Sequence, residues 1–263
     1  MAPERSNSPL LEVEDLVMAF GGLTALMNIN LKVAKGTIRA VIGPNGAGKT
    51  TLFNLITGVL PPTEGTIRFN GRTISGQKPH KIAAMGISRT FQTVELFSNM
   101  TVLENVMVGR HLRIKTSFLA CGLGLPHIRR QEKSLEAEAM ELLAFIGLEE
   151  KSEVKADNLP LGEQKILEIG RALATDPLLV CLDEPAAGLN ETETGKATRL
   201  IRAIKEKGVT VLLVEHDMKV IMNISDDITV LNYGEKIAEG TPEEIQRNPK
   251  VIEAYLGDDL AVI

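Results

Sequence analysis

Ile38-Arg39-Ala40-Val41-Ile42-Gly43-Pro44-Asn45-Gly46-Ala47-Gly48-Lys49-Thr50-Thr51-Leu52 is the stretch from which the rest of the chain can be read. Gly43 to Thr50 fits the pattern G-x-x-x-x-G-K-S/T, with an apolar run reading as a strand before it and a segment reading as a helix after it. The glycines serve a mechanical need. A backbone that wraps an anion with its N–H groups pointing inward requires positive φ and no Cβ. The helix from Lys49 to Ile56 then aims the partial positive end of its dipole at the same anion. In this pattern Lys49 reaches the β- and γ-phosphates of a nucleotide, the Thr50 hydroxyl ligates Mg²⁺, and Thr51 stands beside them.

Outward from this loop the chain alternates apolar runs with helical patterns, which predicts a parallel sheet with crossover helices. Ile38 to Ile42, Leu178 to Leu182 and Val209 to Val214 read as central strands, apolar on both faces as helix-covered strands are. Glu163 to Ala174 reads as a helix with Ile166, Ile169, Gly170 and Leu173 on one face. Glycine inside a helix costs about 1 kcal/mol against Ala, so Gly170 is expected to mark close packing.

Two regions break the rhythm. Leu11 to Val33 reads as antiparallel β structure, paired with Gly65 to Ile74 around the turn Asn70-Gly71. Thr93 to Asn158 carries no strong strand signal, and its clearest helix holds Leu135, Ala139, Leu142, Leu143 and Ile146 at helical spacing. Within it, Leu112 to Ile128 is apolar and flanked by Arg110, Arg113, Lys115, Arg129 and Arg130; it reads as a packing segment or as a surface near lipid head groups. The tail reads as strand-turn-strand from Ile228 to Glu239, then two short helices ending near Leu256.

Composition narrows the function. With 263 residues, 44% hydrophobic and 24% charged, the chain can bury a sizeable core within one α/β domain. It has no Trp, 3% aromatic residues and a net charge of −5, which argues against a nucleic-acid partner. The start lacks an apolar signal core, and no run approaches eighteen apolar residues, so a membrane role is expected to come through a partner. Cys121 and Cys181 lack metal-ligand spacing, and Cys181 sits in an apolar run as a reduced core thiol would in the cytosol.

A phosphate loop alone would suit kinases and GTPases equally. The run Leu178-Leu179-Val180-Cys181-Leu182-Asp183-Glu184 ends in two acids, Asp183 suited to Mg²⁺ and Glu184 to a general base that polarises water. Two acids after a strand also arise as a helix cap and first-turn charge. A second strand ends in Val214-Glu215-His216-Asp217, where His216 can hydrogen-bond a γ-phosphate, although a lone His there is often structural. Gln92, in Arg89-Thr90-Phe91-Gln92, sits at a strand end from which it can touch both metal and water. Finally, Leu159-Pro160-Leu161-Gly162-Glu163-Gln164 opens a helix at a glycine.

Taken in this order, these motifs resemble the ABC ATPase family over essentially the whole chain, with residues 159–164 as its signature motif. The fold implied is α/β: a P-loop NTPase core of RecA-like type with an antiparallel β subdomain and an α-helical arm. The corresponding division is about 8–35 and 65–75 for the β subdomain, 36–92 and 158–225 for the core, 93–157 for the arm and 226–263 for the last strands and helices. The resemblance also implies a sandwich in which two ATPase subunits pack head to tail, each ATP between one phosphate loop and the partner's signature helix. Phe20 matches the aromatic that stacks on adenine, Gly162 the signature glycine that meets the partner's nucleotide, and Asn190 a loop crossing the dimer. Two residues depart: Pro160 replaces the usual Ser, removing a hydroxyl, and Leu161 replaces a Gly.

The finer match is to the ATPase subunits of bacterial branched-chain amino acid importers. It rests on Arg89 to Phe97, Met100-Thr101-Val102-Leu103-Glu104-Asn105, Pro185 to Asn190, Glu215 to Lys219 and the ending Asn248-Pro249 to Gly257. Such importers pair two ATPase chains, identical or different, with two permeases and a periplasmic binding protein, at the cytoplasmic face of the inner membrane. Importers of urea or short amides, exporters of lipid or lipopolysaccharide, and ABC proteins outside transport are the alternatives. Val94, Leu96, Phe97 and Met100 are expected to form the permease-facing surface or to tuck into the arm.

Overall fold

The computed structural model, which describes residues 8–110 and 126–259, sorts the alternating and the unbroken apolar runs into two different sheets. Alternation gives the smaller one: β1 (Leu11–Phe20), β2 (Leu23–Val33), β4 (Glu64–Phe69) and β5 (Arg72–Thr73), antiparallel in the order β2-β1-β4-β5. Leu11 faces Val33 on one neighbour and Phe69 on the other, so the buried residues of three strands share one face. Asn70 and Gly71 both take positive φ (47° and 75°), the geometry that a two-residue hairpin turn needs.

Unbroken runs form the larger sheet, in the order β10-β9-β3-β8-β7-β6. Its strands are β3 (Ile38–Ile42), β6 (Ile87–Arg89), β7 (Leu179–Asp183), β8 (Thr210–Val214), β9 (Asp227–Asn232) and β10 (Glu235–Gly240). β6 through β9 run parallel with β3 among them, and β9·β10 closes the edge antiparallel. Every residue of β3, β7 and β8 is buried, as sequence patterning requires of strands with helices on both faces.

Helix α1 (Lys49–Ile56) lies between the two sheets, where Leu52, Phe53, Leu55 and Ile56 join Leu16 and Ile29 of one to Val41 and Leu212 of the other in a single core. Phe53 is fully buried there, and cutting it to Ala would cost about 3–5 kcal/mol. After α2 (Pro79–Ala84), the opposite face of the large sheet is covered by α3 (Val102–Gly109), α4 (Pro126–Ile146), α5 (Leu161–Leu173) and α6 (Glu191–Glu206), which share a second core. Helices α7 (Met218–Ile224), α8 (Pro242–Gln246) and α9 (Pro249–Asp259) form a third around Val230 and Ile245.

Gly170 has the packing reason expected of it: a Cβ there would lie 2.5 Å from Ile146 Cδ1, so α5 and α4 approach closely. Cys181 is buried, and desolvation pushes its thiol up to about 12, an unreactive state at neutral pH. Cys121 and positions 112–125 of the apolar stretch before α4 lie outside the described residues. Between Thr93 and Asn158 the described residues form helices and one isolated bridge, Thr101 to Lys155. Among the described residues no helix is long and apolar enough to cross a membrane.

Candidate functional site

The carboxyl ends of β3, β8, β7 and β6 lie side by side, and each runs into a loop that the sequence singled out. From β3 the chain enters the glycine loop, with φ of 151° at Gly43, 79° at Gly46 and 102° at Gly48, the N-cap of α1. Conformation is one reason for these glycines; crowding is another. A Cβ at Gly43 would lie 2.1 Å from Leu231 O, and one at Gly48 would lie 2.5 Å from Leu26 Cδ2 and 2.9 Å from Ala25 O. The loop is thus braced by β9 on one side and β2 on the other, and Gly234 N donates to Ala47 O at 3.2 Å.

Inside the loop Lys49 is buried, its Nζ donating to Gly43 O at 2.6 Å and Pro44 O at 2.9 Å. A cavity of about 320 Å³ opens beside it, lined by Asn45 to Thr51 together with Ala25, Gln92 and Glu184. The glycine loop, Gln92 and Glu184 therefore share one hollow.

At the end of β7, Asp183 is 3% exposed and its Oδ2 accepts from Arg89 Nη2 at 2.8 Å. Arg89 Nη1 donates to Asn54 Oδ1 at 2.6 Å, and its guanidinium lies between the rings of Phe53 and Phe91. Glu184 takes the left-handed φ of 49°, its N–H donates to Val214 O at 2.9 Å, and its Oε2 accepts from Gln92 Nε2 at 3.1 Å. Gln92 lies three residues beyond β6, in a loop rather than at the strand end expected from sequence. His216 Nδ1 stands 3.8 Å from Glu184 Oε2 with its side chain 63% exposed.

Phe20 and Gly162 lie outside this hollow. Phe20 closes β1 at 46% exposure, so its ring is not part of the core. Gly162 is buried at the start of α5, where a Cβ would lie 2.7 Å from Glu193 Oε1, and Pro160 is the N-cap without a side-chain bond. Asn190 caps α6, accepting from Glu193 N while Glu193 Oε2 accepts from Asn190 N, each at 3.0 Å.

Among the shielded charges around the site, the sequence reading assigned no role to Lys165, Glu168 and Glu215, which are buried, or to Arg89, whose side chain is 8% exposed. Glu215, 1% exposed, accepts from Ala186 N at 2.7 Å and His216 N at 3.0 Å, tying the loop after Glu184 to the one that carries His216. Burial lowers the Lys165 ammonium pKa against the pull of Glu215 and Glu168, and raises that of Glu168 against backbone N–H donors. The available signal was charge on the apolar stripe of α5 and at the inner ends of β6 and β8.

Residues 26–187, more than half of the chain, match the family model described as ABC transporter. The chain belongs to the ABC transporter ATPase family. A second model, described as branched-chain amino acid ATP-binding cassette transporter, matches residues 235–261 of this cassette. Among curated relatives, the high-affinity branched-chain amino acid transport ATP-binding protein BraF of Pseudomonas aeruginosa is 49% identical, covering 96% of this chain and 99% of its own. LivG of Escherichia coli, described in the same words, is 47% identical over the same shares. Among solved structures, the ADP conformation of an ABC transporter's ATP-binding cassette superposes with a TM-score of 0.83 at 36% identity, covering 95% of this chain and 100% of that one. A dimeric bacterial ABC transporter cassette superposes with a TM-score of 0.75 at 25% identity, covering 88% and 98%. This cassette is accordingly a nucleotide-binding ATPase with the α/β fold of a P-loop NTPase.

Proposed function

We propose that this cassette hydrolyses MgATP to power a membrane importer of branched-chain or similar amino acids. The observation that carries the hydrolytic reading is the Gln92 Nε2 to Glu184 Oε2 contact at 3.1 Å on the wall of the glycine-loop cavity. A carboxylate suited to polarising water and an amide line the hollow of the glycine loop together, which supports this reading. The substrate class rests on the similarity to BraF and LivG and on the match of the C-terminal segment. The division into β subdomain, core, arm and C-terminal region is proposed with it.

Gly43 to Gly48 and Thr51 line the phosphate cradle, all but Pro44 offering a backbone N–H, and Lys49 turns its ammonium from the loop carbonyls to the β- and γ-phosphates. Glu184 accepts a proton from the attacking water, His216 hydrogen-bonds the γ-phosphate, and Phe20 offers its exposed ring to adenine. Thr50, Gln92 and Asp183 are hard oxygen donors suited to Mg²⁺, although Arg89 already occupies one Asp183 oxygen. When bound, Mg²⁺ supplies neutralisation of the phosphate charge.

Gly162 and the start of α5 serve the nucleotide of a second ATPase subunit, a different chain or a second copy. The assembly is peripheral at the cytoplasmic face of the inner membrane, held by permeases and fed by a periplasmic binding protein. The permeases meet a hollow of about 550 Å³ beside Leu96 and Phe97, where Phe97 is 45% exposed.

Reconstitution with the cognate permeases tests this: ATP-dependent uptake of leucine, and no uptake of urea, is the expected result. Phe97→Asp should abolish permease co-purification while leaving nucleotide binding by the free subunit near wild type, because a charge facing an apolar partner costs several kcal/mol. Urea uptake, or normal assembly by that variant, would overturn the corresponding part.

A further inference from the structure

Two charged residues of α5 point inward. Lys165 and Glu168, one turn apart, are 7% and 3% exposed, although isolated charges are costly to bury. Each is hydrogen-bonded to main chain in the loops that flank the hydrolytic pair. Lys165 Nζ donates to the carbonyl of Glu184 at 2.8 Å. The Glu168 carboxylate accepts the N–H of Phe91, the residue before Gln92, at 3.1 Å.

Backbone conformation shows why such support matters. Among the described non-glycine residues with positive φ, only Glu184 and Tyr233 are neither Asn nor Asp. The left-handed region disfavours a glutamate, and a residue stays there only when its surroundings hold it. At Glu184, Val214 O takes the N–H and Lys165 takes the C=O, so both flanking peptides are pinned. Arg171, three residues past Glu168 on the same helix, lies over the Phe97 ring with 5.4 Å between guanidinium carbon and centroid. One helix thus touches the Glu184 turn, the start of the Gln92 loop and Phe97 in the segment that follows it.

We propose that Lys165 and Glu168 are positioning residues for hydrolysis, splinting the Glu184 turn and the Phe91–Glu95 loop to α5 so that Gln92 and Glu184 meet. The inference rests on Glu184 as base and on α5 as the helix that meets the partner's nucleotide. Its consequence is that the helix serving the partner's site also sets this chain's own, so docking at one is felt at the other.

The test uses the assembled transporter, measuring MgATP turnover, equilibrium binding of a fluorescent ATP analogue and melting temperature. Glu168→Gln removes the charge from the bond that holds the Phe91 N–H; turnover should fall at least ~10-fold with analogue Kd within ~3-fold. In a Gln92→Ala background the same change should add less than ~2-fold, because it acts through that loop. Lys165→Met should lower turnover similarly, and Lys165→Arg, which keeps a donor, should retain more. If Glu168→Gln is too unstable to purify, Glu168→Asp, with shorter reach, is read the same way. Wild-type turnover per folded molecule, or effects that multiply with Gln92→Ala, would overturn the proposal and leave both residues as structural charges of the core. Glu184→Gln is the separating control: turnover surviving in it sinks the base assignment, whereas loss there with unchanged Glu168→Gln sinks the splint alone.

Discussion

Two helices of this cassette begin at a glycine-containing turn, and they are built to opposite ends. At α1 the N-cap is Gly48 at φ 102°, wedged against Leu26 and Ala25, and the preceding loop folds over its own helix start with Lys49 inside. At α5 the N-cap is Pro160, without a side-chain bond, Leu161 is 47% exposed, and the helix start borders the Glu193 carboxylate rather than a cradle. Both ends present orphan N–H groups and a dipole. Only the first is enclosed by its own chain into an anion site. The difference teaches that a helix dipole is common and an enclosure is what makes a site; in the proposed reading a second subunit provides it for α5.

The harshest way to break the contrast is Lys49→Ala. Losing a charged donor to phosphate costs about 1.5–3 kcal/mol, or roughly 10–100-fold in nucleotide Kd, with turnover abolished. Calorimetric titration of the free subunit reads it, and unchanged affinity would remove Lys49 from the site.

Placing the same substitution at the two glycines sharpens the contrast further. Gly48→Ala forces a left-handed Ala onto a backbone carbonyl 2.9 Å away, so about 2–3 kcal/mol of stability should go, with nucleotide affinity. Gly162→Ala meets the Glu193 side chain, whose shift strains its bond to Asn190 N, while alanine's better helix propensity offsets part of that; the isolated subunit should lose under about 1 kcal/mol, with no change in its nucleotide affinity. Its effect should appear as slower turnover in the assembled transporter. Weakened binding in isolated Gly162→Ala would place α5 in this chain's own site.

The smallest effect is expected from Pro160→Ser. A serine N-cap contributes about 0.5–1 kcal/mol to a helix, and losing proline's rigidity in the unfolded chain offsets a similar amount. Melting should shift by no more than about 2 °C, and turnover of the assembly by less than about threefold. A large gain in turnover would show that the missing hydroxyl limits the partner's site.

Much was legible in advance because the signals are local. The glycine loop dictates its own backbone, so Gly43 to Thr50 carried the strand, the turn and the start of α1 together. Unbroken apolar runs marked β3, β7 and β8, and alternation marked β1 and β2, because burial on two faces or one leaves a different period. The acids after β7 and His216 after β8 could be named from their place at strand ends.

What tertiary structure decided is which groups share a space. Gln92 reaches Glu184 across 92 positions of sequence, and Arg89 pairs with Asp183 across 94, separations over which no periodicity speaks. Nothing local in the sequence says what Lys165 and Glu168 would meet; only the packing of α5 under two loops gives them their main-chain partners. The sequence by itself determined the family, the strands and the anion cradle, since these follow from short-range backbone chemistry. The partners of the buried charges, and the enclosure of one helix start but not the other, depended on how sheets and helices stack, because burial and long-range hydrogen bonds exist only once the chain has closed on itself.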